Sequence, residues 1–297
     1  MIKDSIEYLI KIATNPPYSN NLLAARQEYQ KYAGGIFDDD KSYENQMALF
    51  LEWYIFDRIE PAHNLTVLEL IINNGKGETL DPLQNINDFI SHIHGLFIIK
   101  KIKDHSVRAI NLFDNEQYDV VEPSGKLYFS KNSIFEGRLL TYKNSYYFTG
   151  NFCFHPEDSK KFIKSEIKKI FSLRKINVKE LKLQNVKLKN ENKKINKTIS
   201  LIEKLQEKNQ GLNSEKKTLE IKNDLSELES IKEKQEENYS LLKQKINIFT
   251  HEKITHESKS IQTQFMLKLS SMRLLLERSR NIEVKDIYKN KCLKGRT

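Results

Sequence analysis

LFIIKKIKDHSVRAINLF, residues 96–113, reads as two apolar runs rich in β-branched residues, joined by the polar tetrad Lys103-Asp104-His105-Ser106. A short polar break between such runs is the pattern of a β-hairpin. The same alternation continues in YDVV (118–121), KLYFS (126–130), GRLLTY (137–142) and SYYFTGNFCF (145–154). The breaks are Asp114-Asn115-Glu116, Pro123-Ser124-Gly125 and Lys143-Asn144-Ser145, all turn-forming sets. Segments recurring every 8 to 12 residues predict a small antiparallel β-barrel of about five or six strands over residues 92–155. A unit of about 60 residues is near the lower limit for an independent core, so it is expected to lean on what precedes it.

What precedes it is helical. Ile2, Ile6, Leu9, Ile10 and Ala13 repeat at three to four residues until Asn15-Pro16-Pro17. Further helices are expected from about Asn20 to Tyr32, ended by Gly34-Gly35, and from Ser42, with Tyr43, Met47, Phe50, Leu51, Tyr54 and Ile55 on one face. Thr66 to Ile72 and Asp81 to Ile90 read as two more short ones, making residues 1–91 a helical domain. Downstream, His155-Pro156-Glu157-Asp158 starts a long helix, since proline suits the first position and acids suit the positive end of the helix dipole. Residues 156–250 read as a coiled coil with two heptad frames. The first carries Leu181, Leu188, Ile195 and Ile202 at position a and Gln184, Glu191, Thr198 and Leu205 at d, running on to Leu212, Lys216 and Leu219. The second carries Leu225, Leu228, Lys232, Gln235, Tyr239, Leu242, Ile246 and Phe249, with Asp224 and Glu227 as a cap pair between the frames. A stutter or a helical hairpin is expected there. Residues 251–297 form an amphipathic helix and a short tail; Phe265, Leu267, Leu269, Met272 and Leu274 to Leu276 are too broad an apolar surface to stay in water. That segment is expected to dock on the coil or on another subunit, leaving Arg273, Arg278 and Arg280 at its polar edge. The fold class is therefore α+β.

With 10 Gly and 6 Pro in 297 residues, helix dominates. Two cysteines, Cys153 and Cys292, make neither a disulfide framework nor a cysteine-rich zinc site. Together with the lack of any long uncharged apolar stretch or cleavable leader, they point to a cytoplasmic protein without a membrane span.

Candidate chemistry is sparse. Asp38-Asp39-Asp40 with Glu44 lacks calcium-loop spacing and reads as a turn into a helix. His92-Ile93-His94 puts two imidazoles on one side of a strand, but a zinc site needs a converging third ligand, such as His105 or His155. Cys153 lies between Phe152 and Phe154 and reads as strand packing. Asn74-Gly75-Lys76-Gly77 is no phosphate loop. Nothing in these motifs supplies a catalytic residue, a metal or a cofactor, and a non-enzymatic protein is expected.

Charge is more informative. Residues 160–197 hold fourteen basic and three acidic residues, a net of +11 in a chain whose total is +9; residues 203–237 hold seven and ten, a net of −3. Folding back would bring opposite signs together, while a basic helix bearing Lys168, Lys169, Arg174 and Lys175 could instead meet nucleic acid. Lysine supplies nearly all the surplus, and bidentate recognition favours arginine. Phe97, Tyr128, Phe129, Tyr146, Tyr147 and Phe148 could serve as stacking platforms on the barrel, but alternate strand residues must point inward.

Several stretches carry a resemblance. Phe37-Asp38-Asp39, Phe50-Leu51-Glu52-Trp53-Tyr54 with Asp57-Arg58, Gly137-Arg138-Leu139, Met272-Arg273-Leu274, Glu277-Arg278-Ser279 and Ile287-Tyr288 resemble an uncharacterised bacterial family with a helical N-terminus, a small β unit and a coiled C-terminus. The resemblance implies no activity, but marks Glu52, Trp53, Asp57 and Arg58 as a shared feature. By spacing, Glu52 and Asp57 could clamp Arg58 beneath Trp53. These residues, the four basic residues of the long helix, and Arg273 and Arg278 are the candidate interaction sites. The expected function is a cytoplasmic adaptor or scaffold acting through coil and head, with self-association through the coil left open. Nucleic-acid binding by helix 160–197, with or without the barrel, is the alternative.

Overall fold

The computed structural model describes residues 2–75, 86–122, 125–210, 215–279 and 281–289. Packing gathers the described residues of Met1–Lys169 and Gln262–Thr297 into one compact unit, the head, and Ile170–Ile261 into a second.

The head begins with helices α1 (Ile2–Ala13), α2 (Leu22–Ala33) and α3 (Tyr43–Phe56). Gly34, at φ +88°, terminates α2 in a conformation that costs glycine little. A two-stranded ribbon, β1 (Ile59–Glu60) and β2 (Leu65–Thr66), leads into α4 (Val67–Asn74). Thr66 and Glu69 close a reciprocal capping box on α4, satisfying backbone N–H groups that have no partner inside the helix. Ile6, Leu9, Ala13, Ala25, Tyr29, Phe50, Trp53, Tyr54 and Leu68 meet in one core. Of the helix expected over 81–90, Ile86–Ser91 forms a 3-10 turn and residues 81–85 lie outside the described residues.

The barrel uses β3 (Ile93–Ile102), β4 (Ser106–Asn111), β5 (Gln117–Val121), β6 (Ile134–Tyr142) and β7 (Ser145–Phe148), in the order β3-β4-β5-β7-β6 with β6 closing on β3. A sixth strand, β8 (Cys153–His155), adds to β6. A register shift between Ile99 and Lys101 bends the ten-residue β3, which pairs with β4 on one side and β6 on the other. Two expectations need correcting. KLYFS is not a strand: Gly125–Tyr128 is a helical turn, α5, and it delivers Phe129 into the barrel core. Because α5 is a crossover, β7 arrives beside β5 running the same way, and that contact, Val120 with Tyr146, is parallel. The interior is aromatic: Phe97, Phe129, Phe135 and Phe148 pack with ring centroids 5.0–5.9 Å apart.

A short 3-10 turn (Glu157–Ser159) opens α6 (Lys160–Gln210), followed by α7 (Glu215–Phe249), a π-helical segment (Thr250–His256), α8 (Glu257–Arg278) and the single turn α9 (Val284–Ile287). Within the second unit, Thr198 donates to Gln235 (3.0 Å) and Asn177 to the Lys253 carbonyl (3.4 Å), so α6 and α7 run antiparallel as a hairpin. The less exposed positions of α6 follow the first heptad frame to Asn209, and those of α7 follow the second from Thr218 to Phe249. Leu219 is exposed, and Asp224 with Glu227 lie within α7, so the expected continuation of the first frame and the cap pair do not occur; Leu212 lies outside the described residues.

Residues 262–278 of α8 belong to the head. Phe265, Met266, Leu267, Leu269, Met272 and Leu274 are buried there, Leu267 in the helical core and Phe265 against Phe113. The breadth of this apolar face demanded a cover, and the head provides it in place of the expected coil.

Candidate functional site

The most unusual feature of the head is a group of buried charges. β3 and β6 are paired in register His94 with Arg138 and Leu96 with Glu136, which puts His94, Glu136 and Arg138 on one face of the sheet. α3 lays Glu52 and its C-terminal cap Asp57 against that face, and α8 adds Ser270.

Arg138, 1% exposed, grips Asp57 with both Nη atoms, Nη1 lying 3.2 Å from Oδ1. Its Nε lies 3.4 Å from Glu52 Oε2 and its guanidinium 4.8 Å from the Phe56 ring centroid. Asn151 donates to Glu52 Oε1 at 2.8 Å. His94 Nε2 lies 3.0 Å from Glu136 Oε1, and its Nδ1 lies 3.0 Å from Asp57 Oδ2, out of line for a hydrogen bond but close enough for charge attraction. Ser270 donates to the other Glu136 oxygen at 2.9 Å.

Burial, the largest influence, and the nearby Arg138 charge oppose the His94 cation, but Asp57 and Glu136 together outweigh them and lift the imidazole to about 9, so His94 is protonated at neutral pH and donates to Glu136. Burial likewise opposes the Asp57 and Glu136 anions. Arg138 and His94 nevertheless hold Asp57 well below the usual carboxylate range, and His94 with Ser270 lowers Glu136. Glu52, with fewer charged partners, is pushed up by burial. His92 is lowered by burial, and its Nδ1 contacts the Phe89 carbonyl at 3.0 Å. His155 on β8 meets the Tyr288 hydroxyl at 3.3 Å through Nδ1, leaves Nε2 without a partner, and is pushed down to about 4 by burial. Burial pushes the Cys153 thiol up to about 12, which removes the thiolate a nucleophile requires at neutral pH. His92 lies just before β3 and His94 within it, and both turn to Asp57. Among the described residues no set of three or more His, Cys, Asp or Glu is placed to hold a metal ion.

Of the residues singled out by sequence, Glu52 and Asp57 do meet around a buried arginine, but it is Arg138. Arg58 forms a separate pair set with Glu28 (2.9 Å) and Glu60 (2.8 Å), and Trp53 packs between Tyr29 and Phe50. Lys168, Lys169, Arg174 and Lys175 are exposed along α6, Lys169 bonding Glu166. Arg273 is half-buried, its charge felt by His155 and Cys153. Arg278 is an anchor: it donates to Asp40 Oδ1 (2.8 Å) and to the Gly35 carbonyl (2.6 Å) and covers the Phe37 ring at 4.7 Å, while Glu277 accepts from the Ser42 N–H. Arg280 lies outside the described residues. Of the proposed stacking residues, Phe97, Phe129 and Phe148 fill the barrel, Tyr146 packs on Tyr118, Tyr147 on Tyr142, and Tyr128 is exposed. Glu136 was missed and His94 was read only as a possible zinc ligand; both alternate with barrel-facing Ile93 and Phe135, on the face of the sheet that α3 and α8 cover.

Residues 21–198 match the model of a family of unknown function (DUF7986). The chain belongs to that family. The matched span of the family model runs from Asn21, just before α2, through the barrel into α6, and takes in Glu52, Asp57, His94, Glu136 and Arg138. Comparison with curated proteins and with solved structures gives no match. Among the described residues no helix is long and apolar enough to cross a membrane.

Proposed function

We propose that this protein is a non-enzymatic cytoplasmic scaffold or adaptor that recognises other proteins through its helical pair and its head. The observation that carries this reading is the pair itself. Its two heptad seams are satisfied by antiparallel pairing, yet Ile176, Leu183, Leu241 and Ile248 remain about half or more exposed, an arrangement suited to further helix packing. The buried charges Glu52, Asp57, His94, Glu136 and Arg138 are spent on one another beneath α3 and α8, which suits a rigid recognition body better than turnover. A full chain with two heptads removed from each arm, residues 188–201 and 231–244, keeps the seam in phase. Co-purification from native cells should show it losing partners that the intact chain retains; an unchanged set would defeat the scaffold reading.

Nucleic-acid binding is the second reading, favoured by the exposed basic residues of α6 and by the five-stranded Greek-key closure of the barrel, an architecture used in some proteins to bind oligonucleotides. Against it, Arg108 on the outer face of the barrel is held bidentate by Asp119 at 2.9 Å. A gel shift with steep salt dependence, a slope of about −0.9 per phosphate neutralised on duplex DNA, would put this reading first.

A further inference from the structure

In the frame with Leu181 at a and Gln184 at d, Ile176 and Leu183 of α6 occupy position c, Leu173 and Leu201 occupy g and Val186 occupies f; they form one stripe roughly 100° wide, separate from the seam. In the frame with Leu225 at a, Leu241 and Ile248 of α7 occupy c and Ile231 occupies g. Antiparallel helices place the g flank of one beside the g flank of the other, so both stripes lie on the same side of the hairpin. The Thr198–Gln235 and Asn177–Lys253 pairings put residue i of α6 level with about residue 432 − i of the returning helix. Leu183 is thus level with Ile248, and Leu201 with Ile231. All are exposed: Ile176 is 62% and Leu183 59% accessible. One side of the hairpin therefore carries an exposed aliphatic face.

Its charge says what fits. On the c, f and g positions of residues 172–197 and 234–249 there are seven lysines, five of them on α6, against two glutamates, Glu180 and Glu237. Lys194 leans on Glu191 at 2.7 Å, which leaves most of the surplus uncompensated. A second copy brought side by side would set this surplus against itself. A copy turned end for end would bring up the tip, where the same positions of residues 200–208 and 216–231 hold four basic and four acidic residues. This face also lacks the aromatic residues that anchor interfacial helices in lipid.

We propose that this face docks an acidic amphipathic helix of a partner protein, adding a third helix whose aliphatic positions a and d pack on the exposed aliphatic residues and whose flanking glutamates face the α6 lysines. The inference rests on the scaffold reading and specifies its partner.

The probe is a labelled four-heptad peptide with Leu at a and d and Glu at e and g, compared by fluorescence anisotropy with its Lys counterpart, using the full chain. The acidic peptide should bind at least tenfold tighter than the Lys peptide and weaken at least tenfold between 50 and 500 mM salt. The double variant Leu183→Glu/Ile248→Glu changes exposed sites only, so circular dichroism and melting should be unchanged while peptide binding falls at least tenfold. Equal affinity for both peptides, or undiminished binding by the double variant, overturns the proposal. So does light scattering that finds a dimer dissolved by the double variant, which makes the occupant a second copy, or co-sedimentation with phosphatidylserine vesicles lost in the double variant, which makes it a lipid surface. Any of these results can coexist with partner loss in the shortened chain; retention of every partner there fails the scaffold reading instead.

Discussion

Arg138 and Arg58 both sit beneath the surface, yet removing them should have different consequences. Arg138→Met leaves Asp57 and Glu52 facing a desolvated space with His94 as the remaining cation; breaking a buried pair from one side costs about 3–5 kcal/mol. Arg58→Met should cost less, because Glu28 is half exposed and can return to water while the buried Glu60 keeps the hydrogen bond from Asn21. Urea unfolding of the two variants checks the order, and an equal loss would mean the buried cluster is no clamp. The pH dependence has a definite sign. The folded-state value of His94, about 9, lies above its unfolded value of about 6.5, so its contribution is complete below pH 6.5 and fades as pH rises to about 9. His155 is depressed to about 4, so between pH 6.5 and 4 the unfolded chain takes up a proton that the folded chain refuses, and stability falls on acidification. Asp57 and Glu136, both depressed, withdraw further support at lower pH. Melting temperature should therefore peak near pH 6.5–7, and His94→Gln should flatten the limb from pH 6.5 to 8.5 while leaving the acid limb in place. Glu52 and Asp57 were legible because they share one helix; Arg138 was not legible as their partner, because it arrives 81 residues after Asp57 through a strand register that no local period encodes.

Elements with a local cause were readable and elements set by closure were not. The ends of α1 and α2 follow from Pro16-Pro17 and from glycine at Gly34, and the start of α4 from Thr66 and Glu69. The barrel was readable as alternating runs, but Lys126 to Ser130 alternates as well as a true strand does. What makes 125–128 a helical turn is that β5 must cross to β6 on the far side of the sheet. Gly125 shows the tightness of that crossing, since a Cβ there would stand 2.6 Å from Val107 Cγ1, inside any real contact. Gly125→Ala should destabilise by about 1–3 kcal/mol through overpacking. Gly150→Ala meets no atom within 4 Å but forces a non-glycine residue to φ +101°, a cost of order 1–3 kcal/mol that is backbone strain alone. Calorimetry of Gly125→Ala paired with Val107→Ala separates the two causes: relief of the Gly125 penalty is expected in the pair, whereas Gly150→Ala should gain nothing from Val107→Ala.

At the scale of the whole chain, the head is written in two pieces, residues before 170 and after 261, with the helical pair between them. For α8 to settle on the head the chain must come back across about 90 residues. If those residues were flexible, closing such a loop would cost roughly (3/2)RT ln n, near 4 kcal/mol. The antiparallel pair removes most of that cost, because α6 and α7 fold as neighbours and hold Asn177 beside Lys253, so that the outgoing and returning chains emerge together. Seam residues of the helical pair should then govern how firmly α8 is held. Ile195 and Ile202 are the most buried aliphatics of the α6 seam, at 7% and 8% exposure. Ile195→Asp/Ile202→Asp should part the arms, and α8 should open more often even though every one of its contacts with the head is intact. Hydrogen exchange should show the amides of residues 265–274 exchanging at least tenfold faster in this variant, with the barrel strands β3 and β6 affected far less. Unchanged protection of α8 would mean that its six buried apolar side chains, with Ser270 on Glu136 and Arg278 on Asp40, hold it without help from the pair, and the loop-closure argument would fail.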